Sequence, residues 1–315
     1  MKICDRIYGK FEIDSPLLIA LLQSDPLKRL KDISQFGVPD EFYHLKGYSR
    51  FEHSLGVMLF LKLLNASFEE QIAGLLHDVS HTAFSHVYDW LLDRGETEDY
   101  QDKIHFKQIV KSKLANILKS SGFDPKRIAN FHNFPLLDSP IPCLCADRID
   151  YALREFPPKI AKICLQNFTV LSGKIYCKNR SSARSFAFNF LKCHRIHWGG
   201  FEAVNRYYLF AEALKIALLD KIIHKSDFAG TESVILNKLE RSKNKKIRQI
   251  LFFLQRKSLA DLPKSSKILH KKFRFVDPKI VNRNGKRLSE VDSEFKKLLL
   301  RTKKENEKGV RVVGL

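Results

Sequence analysis

The chain has no cysteine pair at CxxC spacing, and its six cysteines (Cys4, Cys143, Cys145, Cys164, Cys177, Cys193) are scattered over 315 residues. That usage does not fit the dense disulfide framework of a small secreted domain, and free thiols in a reducing compartment are expected. No apolar run approaches the roughly 20 residues that a membrane-spanning helix needs. Met1-Lys2-Ile3 passes into Cys4-Asp5-Arg6 without the apolar stretch of a secretory leader, so a cytoplasmic protein with no membrane partner is expected. The sequence also lacks a Walker loop and a GxGxxG, and Ser54-Leu-Gly56 is not a nucleophile elbow, which leaves ATP-driven work and serine-esterase chemistry without support. Acid is scarce beside base: 35 Asp and Glu face 55 Lys and Arg, a net charge of +20. Such a balance favours polyanionic partners, nucleotides or nucleic acid, although much of the excess reads as a solvated lysine-rich surface.

What is present is helix upon helix. Asp14-Ser-Pro16 offers a cap and an N-terminal proline to the run Leu17–Leu22, and Asn65-Ala-Ser67 followed by Glu69 and Glu70 opens a helix that ends at His77-Asp78. Further helical patterns run over 51–64, about 82–93, 104–120 and 140–156, with one long stretch from about 183 to 223 and others within 232–257 and 290–308. Minor β elements are expected near 172–178 and 273–281. The fold class is therefore mostly α. The expected division is a helical catalytic domain over 1–225 and a helical, basic accessory segment over 226–315.

The chemistry concentrates in four places. Arg50-Phe-Glu-His53-Ser-Leu-Gly56, His77-Asp78, His81 with Phe84-Ser-His86, and Ala146-Asp147-Arg-Ile-Asp-Tyr151 bring histidines, carboxylates and arginines into short helical contexts. His53, His77, Asp78 and Asp147 supply two imidazoles and two carboxylates, a mixed donor set that suits Mn²⁺, Fe²⁺, Zn²⁺ or Mg²⁺ better than a thiolate-seeking ion. A lone histidine in a helical protein is more often structural. Three within ten residues, beside a His-Asp pair, make His81 and His86 candidates for proton transfer, with Asp89 placed to fix a tautomer. On the helix that carries Asp147, residues Asp150, Tyr151 and Arg154 share its face, which is too polar for a core. Arg50 and Arg148 add forked donors for phosphate oxygens, so metal-assisted phosphoester or phosphoanhydride hydrolysis follows.

These motifs resemble the HD-domain phosphohydrolases, and within them the branch similar to deoxynucleoside triphosphate triphosphohydrolases. The resemblance runs through Ile7-Tyr-Gly9, Arg29-Leu-Lys-Asp-Ile-Ser-Gln-Phe-Gly37, the Arg50–Gly56 motif, Ala73-Gly-Leu-Leu-His-Asp78, His81–His86 and Asp147–Tyr151, about the first half of the chain. It implies an HD-type helical fold and one divalent ion (Mn, Fe, Mg, Ni or Zn) on His53, His77, Asp78 and Asp147. It further implies catalytic roles for His81 and His86, and a sugar and α-phosphate site at Gln35, Arg50, Tyr151 and Glu155, with His197 retained from a later helix. Glu155 stands where the triphosphohydrolases usually carry Asp. Phe201 replaces a tyrosine, and Cys193 and Val204 occupy positions that align with an arginine and a lysine, for which Arg195 or Arg206 could substitute. The expected activity is cleavage of a (deoxy)nucleoside triphosphate to nucleoside and triphosphate. The alternative is an HD-type phosphodiesterase or nuclease whose basic C-terminal surface grips nucleic acid. A homo-oligomer is also expected.

Overall fold

The structure is a computed structural model and describes residues 1–314. Sixteen α-helices dominate it, joined by short 3₁₀ turns and three two-stranded antiparallel ladders. Ser15 caps Pro16–Gln23 by accepting from the Leu18 amide, with Pro16 as the first helical residue, and Ser67 caps Phe68–Leu76 by accepting from Glu70. The Arg50–Leu63 helix starts with a full capping box, Ser49 and Glu52 each bonding the other's backbone. This fixes the entry of Arg50 and His53. The helix then buries Val57 to Leu61 against Phe68–Leu76.

Two apolar clusters build the interior. One joins the helices of the first two hundred residues. The other gathers Phe84, Val87 and Leu91 with the Phe201–Leu219 and Lys245–Leu254 helices. Residues beyond 225 enter both: Val276, Ile280, Leu288 and Phe295 join the first, Val312 and Val313 the second.

Several expectations change in detail, among them the 104–120 stretch, which breaks into Tyr100–Val110 and Lys113–Ser120 where Ser112 caps the second helix. The hairpin near 172–178 is present as Phe168–Leu171 paired with Lys174–Cys177. The segment near 273–281 has only single bridges, Ile280 to Cys177 and Lys279 to Arg287, because no strand runs alongside Phe273–Val276. The third ladder lies elsewhere, Lys264–Leu269 with Val310–Val313. The stretch 183–223 is two helices, Arg180–Cys193 and Phe201–Leu219, because His194–Trp198 widens into a π-turn and Gly199-Gly200 follows. Such a turn re-aims side chains, and here it redirects His197 and Trp198.

Candidate functional site

Three helix ends converge. His53 lies in the first turns of Arg50–Leu63, His77 and Asp78 end Phe68–Leu76, and Asp147 opens Ala146–Glu155. His53 Nε2 stands 3.0 Å from Asp147 Oδ1 and 3.2 Å from His77 Nε2, and the donor atoms of this trio lie within 4.8 Å of one another. Metal–ligand bonds of about 2.0–2.2 Å place neighbouring donors about 3 Å apart, so the spacing fits a shared cation. Asp78 sits slightly to one side, Oδ1 3.4 Å from His77 Nε2 and Oδ2 3.9 Å from His53 Nε2.

The other nitrogen of each imidazole is already committed. His53 Nδ1 pairs with Asp150 Oδ2 at 2.7 Å, and His77 Nδ1 donates to the Gly74 carbonyl at 2.8 Å. Both Nε2 atoms therefore face the trio, as ring orientation by outer partners requires. Asp150 in turn accepts from Arg154 Nε at 2.8 Å and from the Tyr8 hydroxyl at 2.8 Å, while Arg154 also reaches Asp5 at 2.8 Å. The stripe Asp150–Arg154 is thus a buried brace that runs from the N-terminal hairpin to His53, not a row of substrate contacts.

Charge follows this geometry. Burial opposes a proton on His53, but its bonds to Asp147 and Asp150 prevail and lift it to about 9. Burial works against ionised Asp78 as well, yet Arg50 and the neighbouring histidines hold it well below the usual carboxylate range. His81 is driven well below the ordinary imidazole value by burial and then by Arg50.

A cavity of about 840 Å³ opens beside the trio, lined by His77, Asp78 and Asp147 and by nearly every residue singled out from the sequence. Arg50 lines it but is engaged: Nη1 donates to Asp78 at 2.8 Å and Nε to Ser85 Oγ at 2.9 Å. His81 Nε2 lies 3.3 Å from Asp78 Oδ1 and meets the His86 ring edge-on. His86 Nδ1 pairs with Asp89 Oδ2 at 3.2 Å, and Asp89 is fixed by the Tyr100 amide. Arg148 reaches the wall of the cavity, but its Nη1 donates to the carbonyls of Ser139 and Cys143. Glu155 accepts from His197 Nδ1 and Trp198 Nε1, and His197 Nε2 meets the Tyr43 hydroxyl at 2.9 Å. Gln35 and Tyr151 complete that wall, and the buried Oε1 of Gln35 has no protein partner.

The loop that carries His81 and His86 is strained. Phe84 and Ser85 have φ of 65° and 48°, a left-handed region that costs a non-glycine residue of order 1–3 kcal/mol. Phe84 is fully buried, and one oxygen of buried Glu232 accepts from both the Phe84 and the Ser34 amides, at 3.1 and 2.9 Å. Glu232 thereby ties the loop of the histidines to the loop of Gln35.

Sequence reasoning missed several residues of the cavity: Glu98, Gln101, Tyr207 and the cations Lys271, Lys272 and Arg274. His44 packs on Tyr43 and His197 with neither ring nitrogen bonded. No local motif marks these positions. A basic run interleaved with Phe273 and Phe275 was the only signal.

Comparison with known proteins bears on the family. The HD domain family model matches residues 50–155, which span His53, His77, Asp78 and Asp147. The uncharacterized protein YdhJ of Bacillus subtilis is 37% identical over 258 residues, 80% of this chain and 79% of that protein. The metal-dependent phosphohydrolase cns2 of Cordyceps militaris is 38% identical over 153 residues, 49% of this chain and 44% of its own length. The deoxynucleoside triphosphate triphosphohydrolase SAMHD1 of Mus musculus is 27% identical over 164 residues, 44% of this chain and 24% of that protein. The chain belongs to the HD-domain superfamily of metal-dependent phosphohydrolases. No helix among the described residues is long and apolar enough to cross a membrane.

Proposed function

We propose that the protein hydrolyses a (deoxy)nucleoside triphosphate to nucleoside and inorganic triphosphate, with one divalent cation held by His53, His77, Asp78 and Asp147. The observation that carries this reading is the joining of the His53–His77–Asp147 trio to one cavity whose walls hold both cations and the Gln35–Tyr151–Glu155–His197 set. The partial likeness to SAMHD1 supports a nucleotide over other phosphoesters.

The bound cation would supply Lewis-acid stabilisation of charge on the α-phosphate. Arg50 binds and orients that phosphate, exchanging its bond to Asp78 for phosphate oxygens as substrate enters. In the overall reaction the oxygen of water forms a bond to the α-phosphorus, the bond to the nucleoside O5′ breaks, and O5′ takes up a proton. His86, oriented by Asp89 and open to the cavity, holds that proton, and uncharged His81 lies beside Asp78 to accept one from the attacking side. Gln35, Tyr151 and Glu155 hold the sugar, with Glu155 fixed by His197 and Trp198.

The nuclease alternative draws on the exposed lysines of the Ser293–Glu307 helix, Lys296, Lys297, Lys303 and Lys304. One experiment separates the readings. The protein is incubated with each nucleotide, and with single-stranded nucleic acid, in Mn²⁺, Mg²⁺, Fe²⁺ or Ni²⁺, and the products are resolved. Equal amounts of nucleoside and triphosphate are expected. Efficient strand cleavage with no triphosphate from any nucleotide would decide for the nuclease.

A further inference from the structure

The helices around His197 bring almost no free positive charge to the cavity. Val204 is fully buried in apolar packing. Arg206 is enclosed and donates to the carbonyls of Phe42, Leu254 and Arg256, while Arg195 pairs on the surface with Glu305. Neither arginine fills the role that the sequence left open for it. Near the trio, Arg50 is paired with Asp78 and Arg148 with loop carbonyls.

Apart from exposed Lys174, the remaining positive charge comes from one short stretch of the C-terminal segment. Lys271, Lys272 and Arg274 all line the cavity, delivered there by the Lys264–Leu269 strand and its partner Val310–Val313. The stretch is held in place: Asn306 donates to the Lys271 carbonyl, the Arg274 amide reaches His194 Nδ1, and Phe273 stacks on Phe275. Its buried counter-charge is Glu98, which accepts from Arg274 Nη2 at 2.5 Å and lies 4.0 Å from Lys271 Nζ. Lys271 Nζ also sits 3.4 Å from the centroid of the Tyr207 ring. Lys272 has no acidic partner within ion-pair distance among the described residues. Among the described residues Glu98 is the one carboxylate within ion-pair distance of this group, with Asp102 and Glu155 farther along the same cavity, and clustered cations in such a place are costly until a further anion completes them.

We propose that Lys271, Lys272 and Arg274 form a polyphosphate grip that binds the β- and γ-phosphates of the substrate, with Glu98 as the positioning residue that aims Arg274 and Lys271. The inference rests on the nucleotide reading above and deepens it. The cation set selects a triphosphate over a monophosphate, because a single phosphate held at the trio carries no second anion to offer the C-terminal stretch. Arg274 lines the same cavity as His77, Asp78 and Asp147, so grip and trio share one enclosure.

The test measures binding of inorganic tripolyphosphate and of orthophosphate to the full chain by calorimetry, with Mn²⁺ present. Lys272→Ala removes a cation that forms no ion pair among the described residues, so its fold is expected to hold. Arg274→Ala would strand Glu98, so the second variant is Arg274→Met combined with Glu98→Gln. Each variant is expected to weaken tripolyphosphate roughly tenfold, the size of one charge-assisted contact, while orthophosphate affinity stays unchanged. Wild-type tripolyphosphate affinity in both variants, with circular dichroism unchanged, would overturn the grip. Because this binding is read without turnover, failure of the wild type to split any nucleotide would count against the triphosphohydrolase reading, separately from the grip.

Discussion

Gly56 lies directly against Asp150: a Cβ built on it would stand 2.1 Å from Asp150 Oδ1 and 2.0 Å from Arg154 Nη2. Asp150 cannot withdraw without releasing His53, Tyr8 or Arg154, all of which it holds at 2.7 to 2.8 Å. The glycine of the Arg50–Gly56 motif is thus a space requirement of the brace behind a candidate metal ligand. Gly56→Ala is expected to lower metal affinity by about 10–100-fold, the usual effect of disturbing an outer partner. It should also cost about 1–3 kcal/mol of stability through overpacking. Metal titration followed by thermal melting checks both, and unchanged metal affinity would show that the brace does not set His53.

Asp78→Ala and Asp147→Ala are expected to lose bound metal and hydrolysis together while the helical circular dichroism persists. Elemental analysis of the purified variants decides. Full occupancy in both would remove these carboxylates from the ligand set.

His86→Ala should keep its metal and lose about 10²–10⁴ in turnover, the range for general acid–base help. His81→Ala should behave similarly. Normal turnover in both would return the two rings to a structural role, and metal loss in either would point to a second ion.

The proton on His53 gives a pH dependence with a definite sign. Its folded value, about 9, lies above the ordinary 6.5, so in metal-free protein this group's contribution to stability is complete below about 6.5. It is lost as pH rises through about 9. A cation needs the neutral ring and must displace that proton, so metal affinity should rise with pH over the same interval. Calorimetry at pH 7.5 in buffers of different ionisation enthalpy should detect about one proton released per metal bound. No release would place the proton elsewhere.

Glu232 is raised to about 8 by burial, although its bonds from Ser34 and Phe84 oppose the shift. Glu232→Gln keeps an oxygen for those two amides and should cost little. Glu232→Ala orphans both, at about 1–3 kcal/mol each, and should lower turnover by freeing the strained Phe84-Ser85 loop. Equal melting temperatures for the Gln and Ala variants would show that the two amides find other partners.

Much of this site could be read from the chain because its parts are local. His77-Asp78 follows a helix announced by Ser67, and Asp147 to Tyr151 sit at helical spacing on one helix. What could not be read depends on partners far apart in sequence. Arg50 and Arg148 look like free anion-binding groups until Asp78 and the carbonyls of Ser139 and Cys143 are seen to occupy them. Asp150 and Arg154 look like substrate contacts until Asp5 and Tyr8 close over them. Lys264–Leu269 carries little strand signal in its own composition, and its pairing with Val310–Val313 is what brings Lys271 to Arg274 into the cavity. The π-turn at His194–Trp198 hides within a continuous helical periodicity.

That last ladder also sets an order of assembly. Translation delivers every member of the His53–His77–Asp147 trio well before Val310, so a nascent chain can gather those donors while half of it is still being made. The strand that seats Lys271 to Arg274 finds its partner only once Val310–Val313 has left the ribosome. A chain caught between those two moments could take up a cation before the far wall of its cavity is in place.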